Sequence, residues 1–181
     1  THVMRPTWHF VLPQDVGWML ELTSPRLLAG MAGPLRRLEL EPATVDRAVD
    51  LVGEALAGGR HLTRAELEGV LGAAGIPGAG RMAHLLGVAE MRGVIVSGPR
   101  RGRQFTWALL CERAPGARRL DREEALAELT RRYFRSHGPA QARDFAWWSG
   151  LTVAEARAGL ELAGPDLARE VIEGKEYWFD P

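Results

Sequence analysis

The sequence predicts a mainly α-helical protein with short β-hairpins, built as tandem winged helix-turn-helix units. Three observations predict it. Amphipathic helical stretches headed by capping residues recur along the chain. Short runs of β-branched and aromatic residues follow them at two places. The order helix, helix, helix, hairpin occurs twice, and it is the order of a winged helix, whose third helix faces a DNA groove and whose hairpin is the wing.

Taken in order, TWHFVL (7–12) is rich in β-formers and stops at Pro13, which predicts a strand followed by a helix from about Gln14 to Leu22. Ser24-Pro25 and Gly33-Pro34 then predict breaks between two short helical pieces. From Pro42 to Leu56, Val45, Val49, Val52 and Leu56 share one helical face, and Gly58-Gly59 ends the helix. Thr63 and Glu66 form a capping box for the next helix, flanked by a staple from Leu62 to Leu67, with Leu67, Val70, Leu71 and Ala74 as its buried stripe. After GIPGAG a third helix runs to about Arg92, with Met82, Leu85, Leu86 and Ala89 facing inward. GVIVSGPRRGRQFTWALL (93–110) is the hairpin.

The second round begins where Asp121 with Glu124 caps a helix to about Ser136. PAQARDFAWWSG supplies the next helix, and Thr152 with Glu155 caps the third. Residues 168–180 are its hairpin, turning at Gly174-Lys175. The chain thus divides into 1–41, the end of a preceding winged-helix unit plus connecting helices; 42–115, a winged helix with a basic wing; and 116–181, a second winged helix.

Composition narrows the function classes. With 46% apolar residues the chain can bury a core, and 23 basic residues against 23 acidic ones exclude a uniformly basic nucleic-acid coat. Any basic site is local. The single cysteine, Cys111, excludes an internal disulfide and a cysteine-rich zinc site and fits a reducing cytoplasm. No window approaches the roughly 18 apolar residues of a membrane span. A cytoplasmic, nucleoid-associated protein without a membrane partner is expected. The chain opens without methionine in strand-like sequence, so a piece of a longer protein is also expected. His2, His9, His61, His84 and His137 show no metal-ligand spacing, and no glycine-rich nucleotide loop is present; neither metal nor cofactor is expected.

From Arg92 to Arg119 seven arginines face one acid, Glu112, a net charge of +6. Arg100, Arg101 and Arg103 fall at the hairpin tip between Ser97 and Gln104, with Gly98 and Gly102 allowing close approach, which suits phosphate contact. A solvated turn is the bland alternative. Opposite its apolar stripe the third helix presents Ala83, His84, Gly87 and Met91, edged by Arg81 and Arg92, and lacks the central residues that read bases. That face either lies along a phosphate backbone or is covered by another part of the protein. The second hairpin is mildly acidic and suits packing or spacing. Trp147, Trp148, Trp178 and Phe179 are expected in the core, and His61 and His137 in structural turns. Strand alternation sets Thr7 and His9 on one face, where they could orient water or a substrate; taken alone, His9 reads as structural.

MRPTWHFV, GPRRGRQFTWALL, REEALAELTRRYFRSHGPA and DFAWWSGLT together resemble the AlkZ-like family of winged-helix DNA-binding proteins. Its characterised members are bacterial DNA glycosylases that unhook crosslinks and excise alkylated bases, so the resemblance implies tandem winged helices and double-stranded, damaged DNA as partner. It implies a water attack on the anomeric carbon of an extruded nucleotide without metal or redox cofactor. Thr7 and His9 match the family's Arg-x-Thr-x-His pattern, with Pro6 where many relatives have glycine, and this makes both active-site neighbours. The family's Gln-x-Gln or His-x-Gln pair has no counterpart in Gln14, Gln104 or Gln141. The pair is expected in a preceding segment, a β-barrel in a following one, and base excision is not expected of this piece alone. Arg81, His84, Arg92, Ser97, Arg100, Arg101, Arg103 and Gln104 are the expected DNA-binding residues. A transcriptional regulator is the alternative, and a protein-interaction winged helix a third reading.

Overall fold

Two hydrophobic clusters organise the chain, and one helix belongs to both. The computed structural model describes residues 1–181, apart from the side chain of Pro6. It is mainly helical, with small antiparallel sheets. Helix α1 (Val16–Arg37) places Trp18, Met19, Leu20 and Leu22 in the first cluster and lays Leu28, Met31 and Leu35 on the second. The expected breaks do not occur, because Pro25 and Pro34 both sit inside this helix. Each proline removes a backbone donor, at a cost of about 3 kcal/mol in a helix interior. The carbonyls that lose it belong to Glu21 and Gly30, both exposed residues, so the loss is not that of a buried, unsatisfiable group. Apolar burial along the two halves outweighs the remaining cost.

Before α1, strands β1 (His2–Val3) and β2 (Arg5–Trp8) form an antiparallel hairpin. The strand expected over 7–12 is therefore displaced. Pairing stops at Trp8 opposite His2, and after a bond from the His9 amide to the Thr1 carbonyl no strand flanks residues 10–12 among the described residues. A β-forming run without a neighbouring ladder has nothing to pair with.

The second cluster gathers α2 (Pro42–Leu56), α3 (Arg64–Ala73) and α4 (Met82–Met91). Val45, Val49, Val52 and Leu56 are buried, as their spacing predicts, and the Thr63–Glu66 capping box forms. Of the stripe expected on α3, Leu67 and Leu71 are buried while Val70 and Ala74 are half-buried. Strands β3 (Leu62–Thr63), β4 (Ile95–Ser97) and β5 (Thr106–Leu109) make a sheet in the order β3-β5-β4. The hairpin expected over 93–110 is thus β4 and β5, joined by residues 98–105. Strand β3 was not legible as such, because two residues carry no periodicity. The short helix α5 (Leu110–Arg113) follows. Its Glu112 accepts the Gly58 and Gly59 amides (2.9 and 2.6 Å), so the lone acid of the basic stretch closes the turn after α2.

The first cluster gathers α6 (Arg122–His137), α7 (Ala142–Ser149) and α8 (Val153–Ala163), with Val3 and Met4 of the hairpin. The capping boxes at Asp121 and Thr152 both form. Strands β6 (Ala168–Ile172) and β7 (Lys175–Phe179) then pair, with Ile172 opposite Lys175. The turn is therefore Glu173-Gly174, one residue earlier than Gly174-Lys175. Both have positive φ (50° and 74°), the geometry that matches the right-handed strand twist. No helix among the described residues is long and apolar enough to cross a membrane.

Two contacts tie the N-terminal elements to this cluster. Met4 donates its amide to Thr23 Oγ1 of α1 (3.1 Å), and a Cβ at Gly150 would lie 2.3 Å from the Met4 carbonyl. Gly150 also has φ +75°, so a side chain there is excluded on both counts. Asp15, whose side chain is 2% exposed, accepts two hydrogen bonds from Arg132 of α6 (2.6 and 3.2 Å) and one from Trp18 Nε1 (3.0 Å). Burial alone would raise this carboxyl, but the bonds from Arg132 and Trp18, with the Arg132 and Arg118 charges, hold it below its ordinary 3.8. A depressed folded-state value means that the contribution is complete above the unfolded value and is lost as pH falls through the folded one. Arg132→Met is expected to lower stability by about 2 kcal/mol at neutral pH, because it strands a buried charge. In urea titrations the variant's deficit should shrink as pH falls below about 3.8.

Candidate nucleic-acid interface

The β1-β2 hairpin and the wing meet through aromatic rings. Trp8 stands edge-on to Phe105 (centroids 5.1 Å apart, 85° between planes) and to Trp107 (6.2 Å, 76°). Beside this contact lies a cleft of about 600 Å³ whose walls include His9, Phe10, Ser97, Arg100 and Arg113. No carboxylate lines it among the described residues. His9 Nδ1 and Ser97 Oγ are buried and have no hydrogen-bond partner there. Unpaired buried polar atoms cost free energy, and they concentrate where a ligand or water completes the set. Burial, and after it the charge of Arg5, pushes the His9 imidazole down from 6.5, so it is neutral at pH 7. Phe10 is fully exposed and Trp8 is 41% exposed, so the cleft joins cations to open aromatic faces.

Of the expected residues, the structure brings His9, Ser97 and Arg100 together here. Thr7 is exposed and does not line the cleft, because β2 ends at Trp8 and the strand alternation that aligned it with His9 stops there. The three tip arginines divide. Arg100 lies over the Phe105 ring (4.4 Å). Arg101 turns inward, donating to Glu66 Oε1 (2.7 Å) and to the His61 carbonyl, and so fastens the wing to the start of α3. The Thr63 amide, then Arg101, then the Thr63 hydroxyl pull the Glu66 carboxyl down to about 2. Arg103 and Gln104 are exposed, and the Gln104 backbone pairs with that of Arg101 across the tip.

Helix α4 does not offer an open face. Every residue from Leu85 to Met91 is buried, and α1 and the first strand stand against the side that carries His84, Gly87 and Met91, leaving only a cleft of about 450 Å³ between them. Arg81 pairs with Glu39 (3.2 Å) and Arg92 with Asp46 (2.7 Å), while His84 Nδ1 is buried without a partner. Of the two readings of that bland face, covering is the one observed. Sequence reasoning missed Trp8, Phe10 and Arg113 as cleft residues. The aromatic run TWHF and the position of Arg113 in the basic stretch were the available signals, but neither shows that the two segments meet. Trp147 departs from its expected place in the core: it is 74% exposed with the Arg5 guanidinium 5.0 Å above it, because α7 buries Phe145, Ala146 and Ser149 on its other side. His137 stacks on Tyr133 (4.8 Å, 7°).

If Arg101 is a fastening rather than a phosphate ligand, Arg101→Ala should speed amide hydrogen exchange at residues 98–105. Glu66→Gln should reproduce the effect in direction. Unaltered exchange in both variants would contradict the fastening.

A family model described as DNA glycosylase AlkZ-like matches residues 1–181. Among solved structures, the Streptomyces sahachiroi DNA glycosylase AlkZ superposes with a TM-score of 0.80 at 24% identity, over 98% of this chain and 51% of that one. The chain therefore spans about half the length of that structure, and at this identity the likeness is one of fold. No curated protein matches. The family model covers every residue that builds the two clusters and the cleft, and the chain belongs to the AlkZ-like DNA glycosylase family.

Proposed function

We propose that this chain is the DNA-holding portion of a DNA-repair glycosylase, binding damaged duplex through phosphates at the cleft between the β1-β2 hairpin and the wing. The observation that carries this is the carboxylate-free cleft, in which Arg100 and Arg113 stand beside the unpartnered His9 Nδ1 and Ser97 Oγ. Phosphate oxygens suit the two guanidiniums, and hydroxyl or water oxygens suit the two neutral groups. On this reading α2, α3, α4 and the β3-β5-β4 sheet form one winged helix, and α6, α7, α8 with β6-β7 form another. The first departs from sequence-reading winged helices in that its third helix is covered, which supports binding by shape and charge over the regulator alternative.

In the reaction of such an enzyme, a water oxygen bonds to the anomeric carbon as the bond to the base nitrogen breaks, and the base leaves with that electron pair and a proton. His9, kept neutral, has a ring nitrogen to orient a water or the sugar. Thr7 stays beside it in sequence but on the solvent side. The Gln pair implied by the resemblance is not among these residues, so holding DNA rather than cutting the glycosidic bond is the role assigned to this chain.

The test is fluorescence anisotropy with a labelled duplex across a salt series. Each phosphate contact adds roughly 0.9 to the slope of log affinity against log salt. The Arg100→Ala, Arg113→Ala double variant should lose about two units of slope, whereas Arg101→Ala should leave the slope near that of the parent chain. An unchanged slope in the double variant removes the cleft from the DNA interface. A random-DNA selection that returned a defined motif would replace the repair reading with the regulator.

A further inference from the structure

The space of about 450 Å³ left between α1 and α4 shares no residue with the cleft assigned to DNA. Its size falls in the roughly 300–1,000 Å³ range of small-ligand pockets. Leu27, Met31 and Pro34 of α1 and Met91 of α4 give it apolar walls, and no carboxylate lines it among the described residues. Three polar groups interrupt those walls. Arg26 is exposed and has no acidic partner among the described residues. His84 Nδ1 is buried without a hydrogen-bond partner. The Gly30 carbonyl lacks the donor that a residue other than proline would supply at position 34. Two glycines keep the space open. A Cβ at Gly87, inside α4, would meet only Met91 Cε, at 4.0 Å, and one at Gly30, inside α1, would meet nothing within 4 Å. Neither a left-handed backbone nor a close contact requires these glycines, and each weakens its helix relative to alanine.

The geometry points to this space as the binding site of a small organic acid, held as its carboxylate and carrying an apolar body. The Arg26 fork matches a carboxylate with two parallel hydrogen bonds. A phosphate would bring up to two charges to a single guanidinium and press the rest of its oxygens against apolar walls. A flat hydrocarbon body fills the room over Gly87, and the Met31 and Met91 thioethers adapt to its outline. A hydroxyl on that body has the Gly30 carbonyl to donate to and the His84 nitrogen as a second partner, which completes the two groups that the fold leaves unpaired. The occupant stands against α1, α4 and, through His2, the first strand, the elements whose packing positions the β1-β2 hairpin. The ligand is not DNA, so the assignment stands or falls apart from the DNA-holding role.

The experiment follows the methyl resonances of the isotope-labelled methionines of the whole chain as a hydroxynaphthoate is added, with the matching hydroxynaphthamide as its neutral counterpart and no DNA present. Met31 and Met91 should shift saturably while Met4 and Met82 stay in place. Loss of one charge-assisted pair predicts that the amide binds about tenfold more weakly than the acid. Arg26→Ala should weaken the acid by about the same factor and leave the amide unchanged. Gly87→Ala places a methyl in the space without a clash, so it should raise the thermal midpoint and yet weaken the acid severalfold. Acid and amide bound equally, or no shift of Met31 and Met91 at millimolar acid, would overturn the carboxylate site. Acid binding that Gly87→Ala leaves untouched would overturn its placement between α1 and α4.

Discussion

Asp15 is a charge that the fold has taken out of water, and much of the architecture follows from where its partner lies. Its carboxylate, 2% exposed, precedes α1, while Arg132 sits 117 residues further along, on α6. An isolated buried carboxylate costs several kcal/mol, so α1 and α6 are held in the one arrangement that pairs it. Trp18 reinforces this twice, by its Nε1 bond to Asp15 and by its ring, 5.4 Å beneath the Arg132 guanidinium. The C-terminal half of α1 then projects into the other cluster, where Leu28, Met31 and Leu35 pack. One continuous helix thus transmits the position of α6, α7 and α8 to α2, α3 and α4. This is why two internal prolines are tolerated: dividing the helix would uncouple the clusters.

The cleft is a consequence of that coupling. Met4 is fastened to Thr23 on α1 and passes close to Gly150, so the β1-β2 hairpin is positioned by the first cluster. The wing is positioned by the second, through the β3-β5 pairing and the bond from Arg101 to Glu66. His9 comes from the segment that follows the hairpin and Ser97 and Arg100 from the wing, while Arg113 lies on α5, whose Leu110 is anchored in the first cluster, so neither the hairpin nor the wing alone contains the cleft. Using one tip arginine as a fastening leaves Arg100 and Arg103 without an acidic partner among the described residues, together with Arg113. A wing fixed in this way meets a phosphate with less ordering cost than a loose basic loop.

Local chemistry was well legible in the sequence. The capping boxes at Thr63, Asp121 and Thr152, the inward face of α2 and the β4-β5 hairpin each depend on residues within a few positions of one another, and each formed where the pattern placed it. What failed depended on distant partners. Pro25 and Pro34 end helices by local rule, but tertiary packing overrides that rule in α1. Between the two readings of the α4 face the sequence could not choose, because what decides it is α1, a distant element that packs against that side. Arg101 is indistinguishable from Arg100 and Arg103 in sequence, and only Glu66 at the head of α3 separates it. Thr7 and His9 parted because the strand between them ended early. For the site, Ser97, Arg100 and His9 could be named from the sequence, but that they share a cleft with Phe10 and Arg113 could not.

The central claim is that DNA enters between the β1-β2 hairpin and the wing rather than against α4. Backbone amide chemical shifts of the isotope-labelled chain, recorded while a short duplex is added, test it most directly. The account predicts that the largest changes fall at residues 8–13, 96–100 and 110–114, with α4 and the β6-β7 hairpin little affected. Changes centred on α4 or on β6-β7, with the cleft residues unmoved, would contradict it.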